Sequence, residues 1–438
     1  MEVLGVLIVV GSLALVIAGL VVTGRGRKRA WTAAAERLDL THSPRRMLRH
    51  PSLHGSVDGA HVEVTNETRS TGRTSSTYTR ITATADISAD MRIARQDLWG
   101  NLVRAVAGGQ DVQIGDPTLE DLVVFQGTEP EVHAVLNDAG RDAVRAAILE
   151  LGATVAGGEV VWRAPRVLRD ADPIVEHVHT LASLAAALSC RALEVPTLLA
   201  HNAREDPLPT VRRLNLAALI DGWPHTETCV AACVAAERDP VGAIRLLAGM
   251  HRGQDGHDAL IALMADVAAD AESRVAALIH LAHSMTPDAF EALAAPLLEG
   301  PDPLRRTATA QLARLGRTVE LEILREMLAS PDAETLTAGL RAAAAGSHGS
   351  LEAEILRALT DDREAVQVAA ANALQVVGTI GSVAPLLPLA KDGWTRTPTK
   401  VAAQEAIEAI QARAGDSKRG GLALVAPAGD GRLSVADT

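Results

Sequence analysis

Asp361-Asp362-Arg363-Glu364-Ala365-Val366-Gln367-Val368-Ala369-Ala370-Ala371-Asn372-Ala373-Leu374 reads as a capped helix start followed by one apolar face. An aspartate at a helix N-terminus meets unsatisfied N–H groups and the positive end of the dipole. The same order recurs upstream. Asp206-Pro207 leads to Val211-Arg212-Arg213 and Ala217, Asp239-Pro240 to Ile244-Arg245 and Ala248, and Asp270 to Arg274-Val275 and Leu278. Asp302-Pro303 leads to Arg305-Arg306 and Ala310, and Pro331-Asp332 to Leu336 and Leu340; a partial copy holds Val401-Ala402-Ala403 and Ile407. Asp206, Asp239, Asp270, Asp302, Asp332 and Asp362 follow one another at 33, 31, 32, 30 and 30 residues. Proline after the aspartate fits a first helical turn. Apolar steps at i, i+3, i+4 and i+7 bury against a partner helix. One helix pair cannot bury both of its faces, so the copies must stack.

These phrases, and 361–374 above all, resemble short HEAT repeats of the kind typified by phycobilisome-lyase-type HEAT-like repeats. The resemblance implies an all-α right-handed HEAT-like α-α superhelix over residues 191–415. It implies no lyase chemistry, because no residue here marks a chromophore pocket. The arginines Arg212, Arg245, Arg274 and Arg306 are expected to form ladders with Asp206, Asp239, Asp270 and Asp302. The competing reading makes them a recognition surface for an acidic partner peptide.

Residues 51–190 read as an α+β domain. Ser52–Val57 and Ala60–Thr65 flank Asp58-Gly59, a strong hairpin signal. Thr154–Ala156 and Val160–Arg163 flank Gly157-Gly158, a second one. Tyr78–Ile87 and Leu122–Phe125 read as strands. Trp31–Leu38, Glu131–Leu136, Asp142–Leu151 and Pro173–Cys190 read as helices. The Ser/Thr/Gly-rich stretch Thr68–Thr77 reads as an exposed, mobile loop. Gln113-Ile114-Gly115-Asp116-Pro117, before Leu119-Glu120-Asp121-Leu122, resembles a Gly-Asp-x-x-Phe-Asp element of uncharacterised bacterial membrane-anchored domains. No activity comes with that resemblance, and Gly115 and Asp116 read first as a turn before a strand.

Residues 3–23 carry no charge, and at about 1.5 Å rise per residue a helix of that length matches a hydrocarbon core. Residues 1–24 therefore read as a transmembrane anchor. Arg25, Arg27, Lys28 and Arg29 follow it, which places the N-terminus outside and the C-terminal domains in the cytoplasm of a bacterial inner membrane. Residues 25–50 read as a basic juxtamembrane segment with a short helix, and Trp31 with the four basic residues as a contact for anionic lipid. Residues 416–438 read as a disordered Gly-rich tail. Its phrases 421–425 and 432–436 alternate like strands that could pair with a partner's sheet edge.

Composition narrows the function. The net charge is −12, and residues 191–417 hold 30 acidic against 20 basic residues, which repels phosphate backbones. Aromatics are 2% of the chain, too few for base-stacking platforms, so no nucleic-acid partner is expected. Cys190, Cys229 and Cys233 are too few for a disulfide framework and read as core thiols. The histidine pairs His50/His54, His177/His179 and His280/His283 lack the further ligands of a metal site. No P-loop, His-Glu-x-x-His or Gly-x-Ser-x-Gly phrase occurs. No catalytic residue, metal or cofactor is expected. The expected function is a membrane-anchored scaffold that binds a protein partner on its helical repeats. The alternatives are an enzyme or enzyme regulator with a site in the α+β domain, and a structural component of an envelope or secretion complex.

Overall fold

The computed structural model describes residues 28–43, 51–71, 74–97, 111–299, 302–391 and 397–417. These fall into two compact units that divide between Ile244 and Arg245.

The first unit is built on an eight-stranded sheet whose pairs are all antiparallel, in the order β1-β2-β3-β4-β8-β7-β5-β6. The strands are β1 (Thr41–Ser43), β2 (Ser52–Val57), β3 (Ala60–Thr71), β4 (Thr74–Thr84), β5 (Arg92–Arg95), β6 (Val123–Gln126), β7 (Thr154–Ala156) and β8 (Glu159–Arg163). Both expected hairpins form. At the first, Asp58 and Gly59 take φ of 50° and 84°, the left-handed pair that a two-residue turn needs. The stretch expected to be a mobile loop is instead paired strand: Asn66↔Thr79, Thr68↔Thr77 and Ser70↔Ser75 face one another across β3 and β4. Threonine is β-branched and favours a pleated ladder, and that preference outweighs its polarity.

Helix α1 spans 28–38. It is followed by α2 (Pro117–Glu120), α3 (Glu129–Val135), α4 (Asp138–Val144), which runs on as a π-helical turn to Glu150, and α5 (Ala171–Ala187). α5 lies on β2, β3, β4 and β8 and buries Ile174, Val178 and Leu181 in one core with Leu53, Val62, Ile81 and Phe125. Trp31 belongs to that core at 1% exposure, and its indole donates to the Leu168 carbonyl at 3.2 Å. The expectation that Trp31 contacts lipid is therefore corrected. Its helix packs into the core of the sheet domain through Trp31, Ala34, Ala35 and Leu38 and is not a neck before it. Lys28 and Arg29 are exposed on the first turn of α1, and Arg25 and Arg27 lie outside the described residues.

The first unit continues with α6 (Val195–Glu205), α7 (Pro209–Gly222) and α8 (Glu227–Ala236), and α9 (Gly242–His251) follows. α6 packs on both α7 and α8. The second unit holds α10 (His257–Ala265), α11 (Ala271–Ser284), α12 (Pro287–Ala294), α13 (Asp302–Arg314), α14 (Leu321–Leu328) and α15 (Ala333–Ala345). It continues with α16 (Glu352–Ala358), α17 (Glu364–Val377), α18 (Val383–Lys391) and α19 (Pro398–Ser417). In the second unit each even helix pairs with the odd helix after it, and α11, α13, α15, α17 and α19 pack one on the next. Buried alanines line these contacts, Ala342 and Ala343 on α15, Ala370 and Ala373 on α17, and Ala403 and Ala406 on α19. Small side chains let the backbones close up, so a second-helix layer forms with little bulk between its members. The architecture is thus α+β followed by all-α.

Among the described residues no helix is long and apolar enough to cross a membrane. The repeat helices are short, and the longest, α19 at 20 residues, carries Lys400, Glu405, Glu408 and Arg413. This finding corrects the placement as a single-pass inner-membrane protein. Residues 1–24, on which that placement rested, and most of the tail 416–438 lie outside the described residues.

Candidate functional site: an arginine–carboxylate ladder

Gly115 has φ +81°, and a Cβ there would sit 3.0 Å from the backbone of Thr210 and Val211. The Thr210 hydroxyl, at the start of α7, donates to the Gly115 carbonyl. The N–H groups of Ile114 and Gly115 each donate to Glu120 at 2.7 Å, which closes the turn over α2. Asp116 then caps α2 by accepting from the Thr118 N–H at 3.1 Å and its hydroxyl at 2.6 Å. The Gly115-Asp116 phrase is thus a turn, but it opens the short helix α2 rather than the strand expected to follow it, and it also joins the sheet domain to the first helix pair.

Arg141 on α4 completes that joint. It is 1% exposed, and its two terminal nitrogens donate to Asp206 at 2.7 and 3.1 Å. Its Nε lies 3.4 Å from Asp116, which Arg145 also meets at 2.5 Å. Burial pushes the Asp116 carboxyl up, but the Thr118 bond and the Arg145 and Arg141 charges outweigh it and hold the group below its ordinary value. Beside this cluster, Asn202 on α6 donates to the His133 and Ala134 carbonyls at 3.2 and 2.9 Å. It thereby satisfies orphan acceptors in the last turn of α3. Burial lowers the affinity of His133 for a proton and outweighs the nearby Glu129.

From Asp206 the pattern passes along the helices. Arg212 donates to the Asp206 carbonyl at 3.0 Å and grips Asp239 with two bonds, at 2.8 and 3.0 Å. Its partner is therefore the aspartate of the following repeat, and the bond to Asp239 raises the Arg212 pKa. In the second unit Arg245 meets Asp266 at 2.6 Å, and Arg306 meets Asp332 at 2.6 Å and Glu334 at 3.1 Å. Arg274 instead donates to the Met264 carbonyl at 2.8 Å. Asp270 caps α11 through the Ser273 N–H at 2.7 Å, and Asp302 opens α13. Of the eight ladder residues expected, Arg212 and Asp239 pair with each other. Arg245 pairs with Asp266 and Asp206 with Arg141, two partners that the sequence pattern does not mark.

The carboxylates share one local device. Asp206, Asp239, Asp266 and Asp361 each accept from the N–H two residues on, at 3.0, 2.8, 3.0 and 2.9 Å. Each aspartate thus bends the chain between two helices while holding a guanidinium. The Thr335 bonds, with Arg306, hold Asp332 at about 2, and Arg363 holds Asp361 at about 2.

A groove of about 410 Å³ lies beside Arg212 and Asp239, walled by Ala203, Ala232, Ala235 and Ala236. Its carboxylates are already engaged: Asp206 by Arg141, Asp239 by Arg212, and Glu205 by Arg204 at 2.6 Å. Arg238 on its rim is exposed. In the second unit His257 Nε2 lies 2.9 Å from the Ser284 hydroxyl. That hydroxyl donates to the His280 carbonyl at 2.9 Å. The ring nitrogen must then supply the proton, which is the reverse of a base activating a nucleophile. His177 rests edge-on against Trp162, while His179 pairs with Asp58 at 2.8 Å, so that histidine pair is split between two partners. Cys229 and Cys233 are buried on one side of α8.

No protein-family model matches this chain, and no curated protein matches it closely.

Proposed function

We propose that this chain is an adaptor whose helix pairs continue as a solenoid of short HEAT-like repeats and bind a protein partner along that surface. The observation that carries the reading is the unbroken packing of α11 on α13, α15, α17 and α19 in the second unit. Such a layer spends its apolar surface on neighbouring repeats and leaves one long polar face. Partner recognition needs extended area with a few anchoring side chains, not an enclosed pocket. Ion pairs between successive repeats favour one spacing of the helices, which suits a surface read as a whole. Proximity labelling from the full chain tests the reading against a chain lacking residues 193–414. A partner set that depends on those residues is expected. An unchanged set overturns the proposal.

A further inference from the structure

α8 buries Cys229, Cys233 and Ala236 on one side. Its other side presents Glu227, Val230, Ala231, Val234 and Ala235, and Arg238 just beyond its end, all exposed. The valines are 45% and 39% exposed. These positions are i, i+3, i+4, i+7, i+8 and i+11, one continuous seam along the helix. A helix that is apolar on both faces is ordinarily covered on both. Among the described residues nothing covers the outer face, and neither Glu227 nor Arg238 has an ion-pair partner there.

The order along the seam is acid, Val-Ala, Val-Ala, base. A second copy of the helix, laid antiparallel about a two-fold axis between Ala232 and Cys233, sets Glu227 against Arg238, Val230 against Ala235 and Ala231 against Val234. Each larger side chain meets a smaller one, and each charge meets its opposite at both ends. A parallel pairing instead sets Glu227 on Glu227 and Arg238 on Arg238. Self-complementarity of this kind is what an isologous two-fold interface requires. We infer that the outer face of α8 is a homodimer interface in which two copies of this chain pack antiparallel. One helix seam is a small area, so the dimer is weak and forms with rising concentration. This interface is separate from the partner-binding layer of the second unit.

Sedimentation of the full chain across micromolar to submillimolar concentration provides the test. The wild type is expected to shift from monomer to dimer. Val234→Glu is expected to weaken association at least tenfold, with the circular-dichroism spectrum unchanged. Glu227→Arg and Arg238→Glu each set like charges face to face and are each expected to stay monomeric. An equimolar mixture of those two variants restores both ion pairs and is expected to dimerise. A wild type that is monomeric throughout overturns the inference. So does a dimer that both single variants retain, a mixture that stays monomeric, or a different protein held on this face in place of the second copy. None of these outcomes bears on partner binding by the helix layer of the second unit, which α8 does not belong to.

Discussion

At the residue scale the centre of the first unit is the pair Arg141 and Asp206, with side chains 1% and 0% exposed. Two buried charges cost desolvation energy that only close geometry repays, and here both guanidinium ends and a backbone N–H fill the carboxylate. Removing one partner strands the other in the core. Asp206→Ala should cost about 3–5 kcal/mol, against about 0–1 kcal/mol for breaking an exposed pair such as Arg204 with Glu205. Arg141→Met combined with Asp206→Leu removes both charges and should recover most of that loss. Urea unfolding of the wild type, Asp206→Ala, Glu205→Ala and the double variant checks this, and a double variant as unstable as Asp206→Ala rules it out.

At the element scale the joint between sheet and helices depends on the turn before α2. Gly115 must hold a left-handed φ within 3.0 Å of the α7 backbone. Gly115→Val has to adopt a conformation that β-branched residues avoid and push α7 away, at a cost of about 2–3 kcal/mol. Limited proteolysis should then cut between the sheet domain and α6 before any other site. An unchanged digestion pattern removes this turn from its proposed role. The same region shows what the sequence could and could not disclose. Helix periodicity, Asp-Gly and Gly-Gly turns and the 30-residue rhythm are local patterns, and the helix pairs and both hairpins follow from them. Arg141 and Asn202 have no such signature. Their partners lie 65 and 68 residues away, so only the folded chain brings them together. The ladder was half legible. An aspartate in each interhelical turn was readable, but the pairing of Arg212 with the next repeat depends on how successive helices stack. The run Thr68–Thr77 misled because hydroxyl-rich composition suits both loops and exposed ribbons, and only cross-strand register separates them.

At the scale of the whole molecule, a chain of net charge −12 places many of its carboxylates where a proton is unwelcome. Asp116, Asp266, Asp270 and Glu352 are held below their ordinary values, and Asp332 and Asp361 at about 2. For a group whose folded pKa is depressed, the unfolded chain binds the proton first as pH falls. The stabilisation is complete above the ordinary carboxylate value of about 3.8 and disappears as pH drops through the folded value. The stack should therefore hold its helicity down to pH 4 and lose it steeply between about pH 4 and about pH 2. Asp332→Asn keeps the size of the side chain but removes its titration, so it should flatten that loss while lowering stability at pH 7. Raised salt screens the exposed Arg306 pair and should narrow the difference between variant and wild type at pH 7. Its Thr335 cap bonds are short-range, so the flattening between pH 4 and pH 2 should persist in salt. Far-ultraviolet circular dichroism of both proteins, titrated at low and high salt, separates these contributions. Parallel acid titrations of variant and wild type would place the acid sensitivity in carboxylates other than Asp332.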